Sequence, residues 1–452
     1  MKRRDFLRRA GSTALGGAAG IILLDNPRSA RAVPANDRIL TAIVGVGDRG
    51  RTLAGGFAAQ NDCHVGYLAD VNRSALAPAA AKVAEFQGGK SPETFQDFRK
   101  LLDIKDVDAV VVATPEHWHA PATIWSCQAG KDVYVEKPAS HNIWEGRKMV
   151  EAARKYRRVV QVGTQTRSAA YCFAAKRYID EGKLGNIHFC RVVNQIPGSN
   201  FILPADSTPP PSLDWDMWNG PAPARQYNRR VVQRWAALWP YGSGDFGANG
   251  VHQLDLARWV CGLSHPKTVR AVGGRYASEG AAQTPDTMVA TYEYDRLVMS
   301  FELAMYTPYM LKTDRQTRSG DMFPYWPQNG TRVEIYGTKA VMYLGRVGGG
   351  WQVFVRTKDR KPVVKDQMYG RFTDAEHKQN FLECVRSRKR PNADIEEGHL
   401  STLLVHYANI SHRIGGQRLV IDPKTERMVD NEEAMKLFSK KYRSPWIIKD
   451  KV

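Results

Sequence analysis

The stretch that decides the fold is Ile39–Gly50, ILTAIVGVGDRG, in which an apolar run ends in three glycines. The apolar run predicts a strand, and the helix-compatible stretch 51–59 follows the glycines. In such a strand–turn–helix, Gly45 permits the tight turn, Gly47 lets the backbone approach a pyrophosphate, and Gly50 lets helix and strand pack closely. Free N–H groups at the helix N-terminus attract phosphate. The stretch therefore predicts a dinucleotide-binding turn, with candidate contacts at Gly45, Gly47, Asp48, Arg49 and Gly50.

A second apolar run ends at Asp70, twenty residues after Gly50. At that position of a dinucleotide-binding unit, a carboxylate accepts hydrogen bonds from the ribose 2′-hydroxyl, which favours NAD. Arg73 lies three residues further on and can meet the 2′-phosphate of NADP. Both residues are candidate cofactor contacts, so the expected cofactor is NAD or NADP, with NAD slightly favoured.

Hydrophobic periodicity divides the chain into two regions. In residues 36–163, short β runs alternate with helical stretches, which predicts a Rossmann-type, doubly wound parallel sheet. In residues 164–452, β runs joined by turns occupy 268–355, and two long helices follow. The predicted fold class is α/β, with an N-terminal Rossmann domain and a C-terminal α+β domain whose sheet is mostly antiparallel and open on one face.

The N-terminus is typical of an exported protein. KRRDFLR, at residues 2–8, resembles a twin-arginine export signal, and a small-x-small cleavage pattern ends at Ala32. The apolar stretch between them is too short and too glycine-rich for a stable membrane span. We therefore expect residues 1–32 to be a signal peptide cleaved after Ala32, with the twin-arginine machinery as a partner and a periplasmic location.

Charge and cysteine usage exclude other classes. The formal net charge is +19, but the sequence has no basic arm, zinc spacing or RNA-binding signature, so we expect no nucleic-acid partner. The six cysteines show no C-x-x-C spacing and read as buried small hydrophobic residues. No carboxylate or cysteine spacing completes a site around His117 and His119, so no metal is expected.

Two candidate groups lie at the carboxyl edge of the predicted parallel sheet, where ligands bind in open α/β folds. Glu136-Lys137-Pro138 follows one strand, and Pro138 keeps Lys137 extended. A lysine beside an oxidised nicotinamide has a lowered pKa, and it can polarise a substrate oxygen or move a proton. The same edge contributes candidate cofactor contacts at Thr114, Pro115, His119, Glu136 and Lys137.

The stretch 242–255, GSGDFGANGVHQLD, carries the second chemical group. If it leads into a helix, three-and-four spacing brings Asp245, Asn249 and His252 near one face. His252 can exchange a proton near neutral pH, and a neighbouring carboxylate would set its tautomer. A structural histidine with satisfied hydrogen bonds is the alternative.

Several further residues are candidates for a sugar pocket, because aromatic rings stack on the apolar faces of sugars. A position in the protein core is an equal alternative for each. These candidate substrate residues are Arg167, Trp235, Trp239 and Tyr241, beside Asn249 and His252.

At these residues the sequence resembles the Gfo/Idh/MocA oxidoreductases, named for glucose–fructose oxidoreductase and inositol dehydrogenase. The resemblance implies a Rossmann domain joined to a substrate domain whose open sheet forms oligomers, here a dimer or tetramer. It also implies NAD(P)-dependent oxidation or reduction of sugars, polyols or their derivatives. The matching motifs are the glycine turn, Asp70, Ala113–Pro115 with His119, Gly130-Lys131, Glu136–Pro138, Gly182–Gly185, His252-x-x-Asp255-x-x-x-Trp259, Gly337–Lys339, Asn380–Leu382 and Tyr442–Trp446.

The resemblance also implies roles for individual residues. Lys137 matches the lysine of the Glu-Lys-Pro motif, and His252 matches the catalytic histidine. The family often has an aspartate four residues before this histidine, where this chain has Ala248. Asp245, one turn earlier, is the candidate replacement that would orient His252.

The leading hypothesis is hydride transfer between a sugar-type hydroxyl and a tightly bound nicotinamide cofactor, with Lys137 and His252 handling the hydroxyl proton. One alternative is an NAD-dependent glycosidase that acts by transient oxidation at C3 and elimination. Another is a dinucleotide-binding protein without turnover, for which Ala248 is the main support.

Overall fold

The computed structural model describes residues 37–198 and 200–452. The expected signal peptide, with its cleavage site after Ala32, lies outside the described residues. Among the residues that are described, no helix combines the length and apolar character needed to cross a membrane. The described fold effectively begins with the strand that carries the glycine motif.

The first sheet contains six parallel strands: β1 (Ile39–Val44), β2 (Cys63–Ala69), β3 (Glu93–Phe95), β4 (Ala109–Val112), β5 (Asp132–Val135) and β6 (Val160–Val162). Their order is β3-β2-β1-β4-β5-β6. The central strands β4 and β5 are buried along their whole length, because helices cover both faces of the sheet. The order reverses between β1 and β4, so a crevice opens at their carboxyl ends. The predicted doubly wound sheet is confirmed.

The helices of this layer are α1 (Asp48–Ala58), α2 (Leu76–Ala84), α3 (Arg99–Leu102), α4 (His119–Gln128) and α5 (Ile143–Lys155). Helix α1 begins three residues earlier than the sequence pattern predicts. Gly47 is its extended N-cap residue, so Asp48 and Arg49 already belong to the first turn. The backbone N–H groups of that turn therefore lie directly beside the glycine loop.

The second sheet has nine strands: β7 (Ile187–Ile196), β8 (Thr268–Gly274), β9 (Thr287–Glu293), β10 (Val298–Met305), β11 (Arg332–Gly337), β12 (Val341–Gly345), β13 (Trp351–Arg356), β14 (Pro362–Met368) and β15 (Leu419–Val420). Their order is β14-β13-β12-β11-β7-β10-β9-β8-β15. Only the β7–β10 pair is parallel. The mostly antiparallel sheet is thus confirmed, and it extends beyond the predicted β region through β14 and β15.

Helices cover one face of this sheet. The remaining helices are α6 (Ala170–Asp180), α7 (Trp215–Asn219), α8 (Arg229–Gln233), α9 (Val251–Val260), α10 (Arg315–Ser319), α11 (Asp374–Ser387), α12 (Ile395–Arg413) and α13 (Glu432–Met435). Buried residues of α6, α9 and α12 share one core with the strands. Side chains on the other face, among them Val272, Val289 and Val298, stay exposed.

The C-terminal third of the chain returns to the first sheet. On α11, Phe381 contacts the rings of Phe57 and Tyr134. The N–H of Val162, on edge strand β6, donates to the carbonyl of Ala393. The predicted domain 164–452 thus also supplies part of the first layer's core and covers its open edge.

The predicted long loop, residues 197–223, packs over the crevice of the first sheet. The N–H of Asp214 donates to Val71 O, and the N–H of Arg73 donates to Ser212 O. Trp215 and Trp218 stack with ring centroids 4.9 Å apart. This loop therefore forms a wall of the crevice described below.

Candidate active site

The glycine turn has the geometry that a dinucleotide requires. Gly45 adopts φ +81°, and a Cβ there would lie 2.9 Å from the Ala113 backbone. A Cβ on Gly50 would lie 1.8 Å from Gly45 O, so helix and strand touch there. Beside Gly47, by contrast, nothing lies within 4 Å of the position that a Cβ would take. The loop leaves open space next to the N-terminus of α1, where phosphate binds.

A cleft of about 560 Å³ opens from this turn. Its lining includes Asp70 at the end of β2, whose carboxylate accepts hydrogen bonds from Val46 N (2.7 Å) and Asn72 N (2.8 Å). Burial raises the pKa of Asp70, although these two hydrogen bonds act to lower it. The residues present fit a dinucleotide, and the predicted contacts that line the cleft are Gly45, Gly47, Asp48, Arg49, Asp70, Thr114, Pro115, His119, Glu136 and Lys137.

Arg73 is not among the residues that line this cleft. Its guanidinium Nη2 donates to Pro211 O at 2.9 Å. The Arg73 side chain thus connects the segment after β2 to the long loop, residues 197–223. The contact of Arg73 with a cofactor therefore stays a prediction, which the lining of the cleft does not support.

His119 connects two segments at the carboxyl edge of the first sheet. Its Nδ1 lies 2.7 Å from Pro138 O and its Nε2 lies 2.9 Å from Thr114 O. Burial lowers the pKa of His119, so the ring is neutral and donates one hydrogen bond at a time. The ring links the strand end at Thr114 to the Glu136–Pro138 segment.

An ion pair fixes the base of the cleft. Arg49 Nε donates to Glu136 Oε1 at 2.7 Å, and Arg49 Nη2 lies 3.4 Å from Asp374 Oδ1. Burial opposes ionisation of Glu136, yet the charges of Arg49 and Lys137 outweigh it and lower the pKa of Glu136. Glu136 is therefore an ionised partner of Arg49.

Lys137 connects the cleft to the second sheet's layer. Its Nζ donates to Ala248 O at 2.6 Å, across 111 residues of sequence. Burial and the charges of Arg346 and Arg49 lower the pKa of Lys137, while Glu136 and Glu116 oppose that shift. The amine gives up its proton more readily than a solvated lysine does.

The stretch around His252 forms a π-helical turn, Phe246–Gly250, that leads into α9. Such turns often occur at functional sites. His252 is 5% exposed, and burial together with the charges of Arg346 and Lys137 places its pKa well below the usual value. The imidazole is therefore neutral, with one nitrogen able to accept a proton.

Asp245 does not orient His252 in this structure, which corrects the expectation. Its carboxylate accepts from Asn249 Nδ2 (2.5 Å) and Asn194 Nδ2 (2.7 Å). No hydrogen bond between Asp245 and His252 occurs in the described part of the chain. The π-helical turn directs Asp245 toward the asparagines at the end of β7, and Asn249 in turn accepts from Lys312 Nζ at 3.3 Å.

A second cavity, of about 450 Å³, adjoins the cleft. Trp235 and Gln233 line both spaces, and Asp245 and Ala248 line the second. Trp235 thus stands where a substrate would enter between the two layers.

Two predicted sugar contacts are core residues instead. Arg167 is 2% exposed, and its Nε bonds both oxygens of buried Asp255 at 2.9 Å. Tyr241 is fully buried, and its hydroxyl donates to Asn219 Oδ1 at 2.5 Å. Trp239 lines a separate hollow near His141. Only Trp235 of the proposed aromatic set lines the cleft.

Three further charged groups belong to the site and were not predicted from the sequence. Glu116 is fully buried and accepts from Ser243 Oγ at 2.6 Å, and burial raises its pKa to about 8. Arg346 follows β12, and Lys312 lies in the connection before β11; both shift the pKa of His252 by charge repulsion. The positions of Arg346 and Lys312 carry no periodicity or motif that marks them, whereas Glu116 lies inside the 113–119 motif.

Comparisons with known proteins agree with this architecture. The family model "Oxidoreductase family, NAD-binding Rossmann fold" matches residues 39–164. The "GFO/IDH/MocA C-terminal domain" matches residues 221–343, and the "Oxidoreductase family, C-terminal alpha/beta domain" matches 328–448. The chain belongs to the Gfo/Idh/MocA family of oxidoreductases.

Individual members of the family are distant from this chain. Levoglucosan dehydrogenase of Pseudarthrobacter phenanthrenivorans is 27% identical over 187 residues, which are 41% of this chain and 40% of that protein. A glycosyl hydrolase family 109 protein of Shewanella baltica is 26% identical over 170 residues, 34% of this chain and 37% of that one. The chain thus spans under half the length of each of these two relatives.

Solved structures share the fold. A levoglucosan dehydrogenase in complex with NADH and levoglucosan has a TM-score of 0.61 at 19% identity. The likeness covers 85% of this chain and 99% of that one. At this identity the likeness shows a shared fold over that part of the chain.

Proposed function

We propose that this family member is an NAD(P)-dependent oxidoreductase that moves a hydride between a hydroxyl-bearing carbon of a sugar, polyol or glycoside and a tightly bound nicotinamide cofactor. The observation that carries the proposal is the 2.6 Å hydrogen bond from Lys137 Nζ to Ala248 O. It joins the carboxyl edge of the first sheet to the turn before His252. Lys137 lines the cleft and Ala248 lines the second cavity, so this hydrogen bond lies where the two spaces adjoin.

The residues of the first layer fit the cofactor. The first turn of α1 would hold the pyrophosphate, Asp70 the ribose, and Thr114 and His119 the edge of the cleft. A bound nicotinamide dinucleotide supplies hydride exchange at this site. We propose NAD as that cofactor, because Asp70 lines the cleft while Pro211 O holds Arg73.

Lys137 and His252 handle the hydroxyl proton. Lys137 keeps one N–H on Ala248 O, so its other donors are available to a substrate oxygen. His252 is neutral and accepts a proton at its free ring nitrogen. The charge of Lys137 lowers the pKa of His252, so a proton on Lys137 disfavours a second one on His252. Asp245 acts as a positioning residue, since it holds Asn249 in the turn before His252.

A second candidate function is NAD-dependent glycoside cleavage. The similarity to glycosyl hydrolase family 109 proteins favours it. In that chemistry, oxidation at sugar C3 acidifies the neighbouring C–H bond and permits elimination of the glycosidic oxygen. Water addition and reduction of the carbonyl then restore the starting redox state.

We also propose the cellular setting and assembly. KRRDFLR supports twin-arginine export, cleavage after Ala32 and a periplasmic location. The exposed apolar face of the second sheet supports a dimer or tetramer, in which a second copy buries it. N-terminal sequencing of exported protein and light scattering in solution test these two statements.

The decisive experiment uses the mature protein as purified. Any bound dinucleotide is released and identified by mass spectrometry, and the absorbance of reduced nicotinamide is followed on adding sugars and glycosides. Net reduction supports the oxidoreductase. A cleaved glycoside without net reduction supports the second candidate. A bound dinucleotide that no sugar changes, with no product formed, would overturn both and leave a binding protein.

A further inference from the structure

The second cavity offers room that the cofactor does not need. Its volume of about 450 Å³ falls within the range of about 300–1,000 Å³ that is usual for small-molecule sites. Ala248, whose carbonyl accepts the hydrogen bond from Lys137 Nζ, belongs to its lining. None of the predicted cofactor contacts lines it, and only Gln233 and Trp235 line both this cavity and the cleft. A substrate that reacts beside Lys137 therefore has further space next to it.

Aromatic side chains form part of the cavity wall. Trp235, Tyr306 and buried Phe201 all belong to its lining. Tyr306 adopts φ +65°, a left-handed conformation that is uncommon for a residue other than glycine and that concentrates at functional sites. A Cβ on Gly198 would lie 2.6 Å from a ring carbon of Tyr306, so the glycine leaves room for this ring. The backbone thus holds an aromatic ring at the cavity in a conformation that costs energy.

Backbone hydrogen bonds join the separate segments that surround the cavity. The N–H of Ala281 donates to Phe201 O at 2.7 Å, and the N–H of Gln283 donates to Ala237 O at 2.9 Å. These bonds connect the start of the long loop, the Trp235 segment and residues 278–286. Because the segments are held by one another, the cavity is a built feature of the fold and does not depend on a single loop.

The charges in the lining favour an uncharged ligand with hydroxyl groups. The lining contains two carboxylates, Asp245 and Asp286, and one cation, Arg234, so it has no surplus of positive charge for an anion. Asp286 accepts from Ser278 N at 2.8 Å and from Ser278 Oγ at 2.6 Å, while Asp245 accepts from two amides. A carboxylate has about four lone-pair sites, so the half-buried Asp245 can accept a further hydrogen bond from a hydroxyl.

We propose that the second cavity binds a second ring, joined by a glycosidic bond to the sugar that reacts beside Lys137. The preferred substrate is then a two-ring glycoside, meaning a disaccharide or an aryl glycoside, and not a free monosaccharide or polyol. Trp235 and Tyr306 stack on the apolar face of the second ring, which removes that face and the aromatic rings from water. The inference rests on the proposed function for the hydride chemistry.

The test measures binding by calorimetric titration of the cofactor-loaded protein. For glucose, galactose and N-acetylglucosamine, in both anomeric forms, the probes are the methyl glycoside, the phenyl glycoside and a disaccharide. We expect at least one two-ring glycoside to bind about 30-fold more tightly than the methyl glycoside of the same sugar. Preference for the phenyl glycoside or for the disaccharide identifies the second ring. Equal binding of all three forms of each sugar, or no binding, would overturn the inference.

Turnover of the same probes separates this inference from the proposed function. Tight binding of a two-ring glycoside without hydride transfer or cleavage would leave the inference standing while the proposed function fails. Hydride transfer from methyl glycosides with the same kcat/KM as from two-ring glycosides would overturn the inference and leave the proposed function intact.

One variant removes an aromatic ring from the cavity. Tyr306→Leu should weaken binding of the preferred two-ring glycoside about 20-fold and change binding of its methyl glycoside less than about threefold. Tyr309→Leu is the matched control, because Tyr309 is 66% exposed, lies three residues further on and does not line the cavity. An equal loss for one-ring and two-ring glycosides would contradict a role of Tyr306 toward the second ring.

A second variant fills the cavity and so tests the same space without removing a residue that packs there. Ala282 lines the cavity outside any helix or strand, and Ala282→Phe adds a ring to it. Binding of two-ring glycosides should fall about 50-fold, while methyl glycosides bind as to the parent. Ala277→Phe, at an exposed position outside the lining, is the control. Melting temperatures confirm that the variants fold, and a folded Ala282→Phe that binds two-ring glycosides as tightly as the parent would overturn the proposal.

Discussion

The two walls of the reaction centre differ in whether their charged side chains have partners. On the cofactor wall, formed by residues 45–50, Asp70 and 114–137, the acids have partners: Glu136 pairs with Arg49, and Asp70 accepts backbone N–H groups. On the substrate wall, formed by residues 245–252, Lys312 and Arg346, the charged groups lack ion pairs in the described part of the chain.

This difference separates the residues that fix the shape of the cofactor cleft from those on the side where a substrate would bind. Partnered charges hold a cleft in one geometry before anything binds, as a site that receives the same dinucleotide at every turnover requires. On the other wall, the Asp245 carboxylate is held by the amides of Asn194 and Asn249, and no cation pairs with it among the described residues.

The largest effect should come from Lys137, which links the walls. Lys137→Ala should lower kcat about 1000-fold, because it removes a group that handles the proton. The dinucleotide should stay bound, since other residues hold it. Turnover and the amount of co-purified dinucleotide are measured on one preparation. Exposed Lys339→Ala is the control, and loss of the dinucleotide from Lys137→Ala would refute the catalytic role.

The next prediction concerns the free energy of unfolding and tests the placement of Arg167 in the protein core. Arg167→Met should destabilise the fold by about 3–5 kcal/mol, because it leaves the buried Asp255 carboxylate without its cation. Urea unfolding measures it, and exposed Arg177→Met on α6 is the control. A stable variant with a raised KM for sugar would restore the predicted substrate contact.

The same contrast explains which parts of the site could be predicted from the sequence. The cofactor wall could be predicted because its parts are local: the glycine spacing, Asp70 and the Glu-Lys-Pro segment each follow a strand, and parallel strands end at one edge. The family resemblance singled out His252 in the same way, by a short motif.

The substrate wall could not be predicted in this way. Arg346 lies 94 residues after His252 in sequence, and its charge lowers the pKa of His252 only in the folded chain. For Arg167 and Tyr241 the sequence left the sugar pocket and the core as equal alternatives, for a related reason. An arginine or a tyrosine suits a sugar pocket and a buried polar network equally, and burial depends on the whole fold.

A pH-dependent effect tests the contact between the walls, where Ser243 donates to Glu116. The pKa of Glu116 is raised from 4.5 to about 8, so the folded protein holds a proton that the unfolded chain releases. Its stability contribution is full below pH 4.5 and is lost as pH rises toward 8.

The glutamine side chain of Glu116→Gln cannot ionise, so the variant should not lose this stability as pH rises. Relative to the parent, the variant should gain on the order of 4 kcal/mol at pH 8 and nothing at pH 4. Urea unfolding at a series of pH values measures the difference. A difference that is the same at every pH would mean that Glu116 is ionised in the folded protein.

The smallest effect concerns Tyr241, for which the sequence left the sugar pocket and the core as equal alternatives. The structure places it in an aromatic cluster with Trp218 and His117. Tyr241→Phe keeps the ring and removes the hydrogen bond to Asn219, so it should cost about 1 kcal/mol of stability. KM and kcat should stay within twofold of the parent, whereas Trp235→Phe, in the residue that lines both cavities, should raise KM. A KM effect for Tyr241→Phe as large as that for Trp235→Phe would extend the substrate wall into the aromatic cluster. The boundary drawn here between a preformed cofactor wall and an unpaired substrate wall would then have to move.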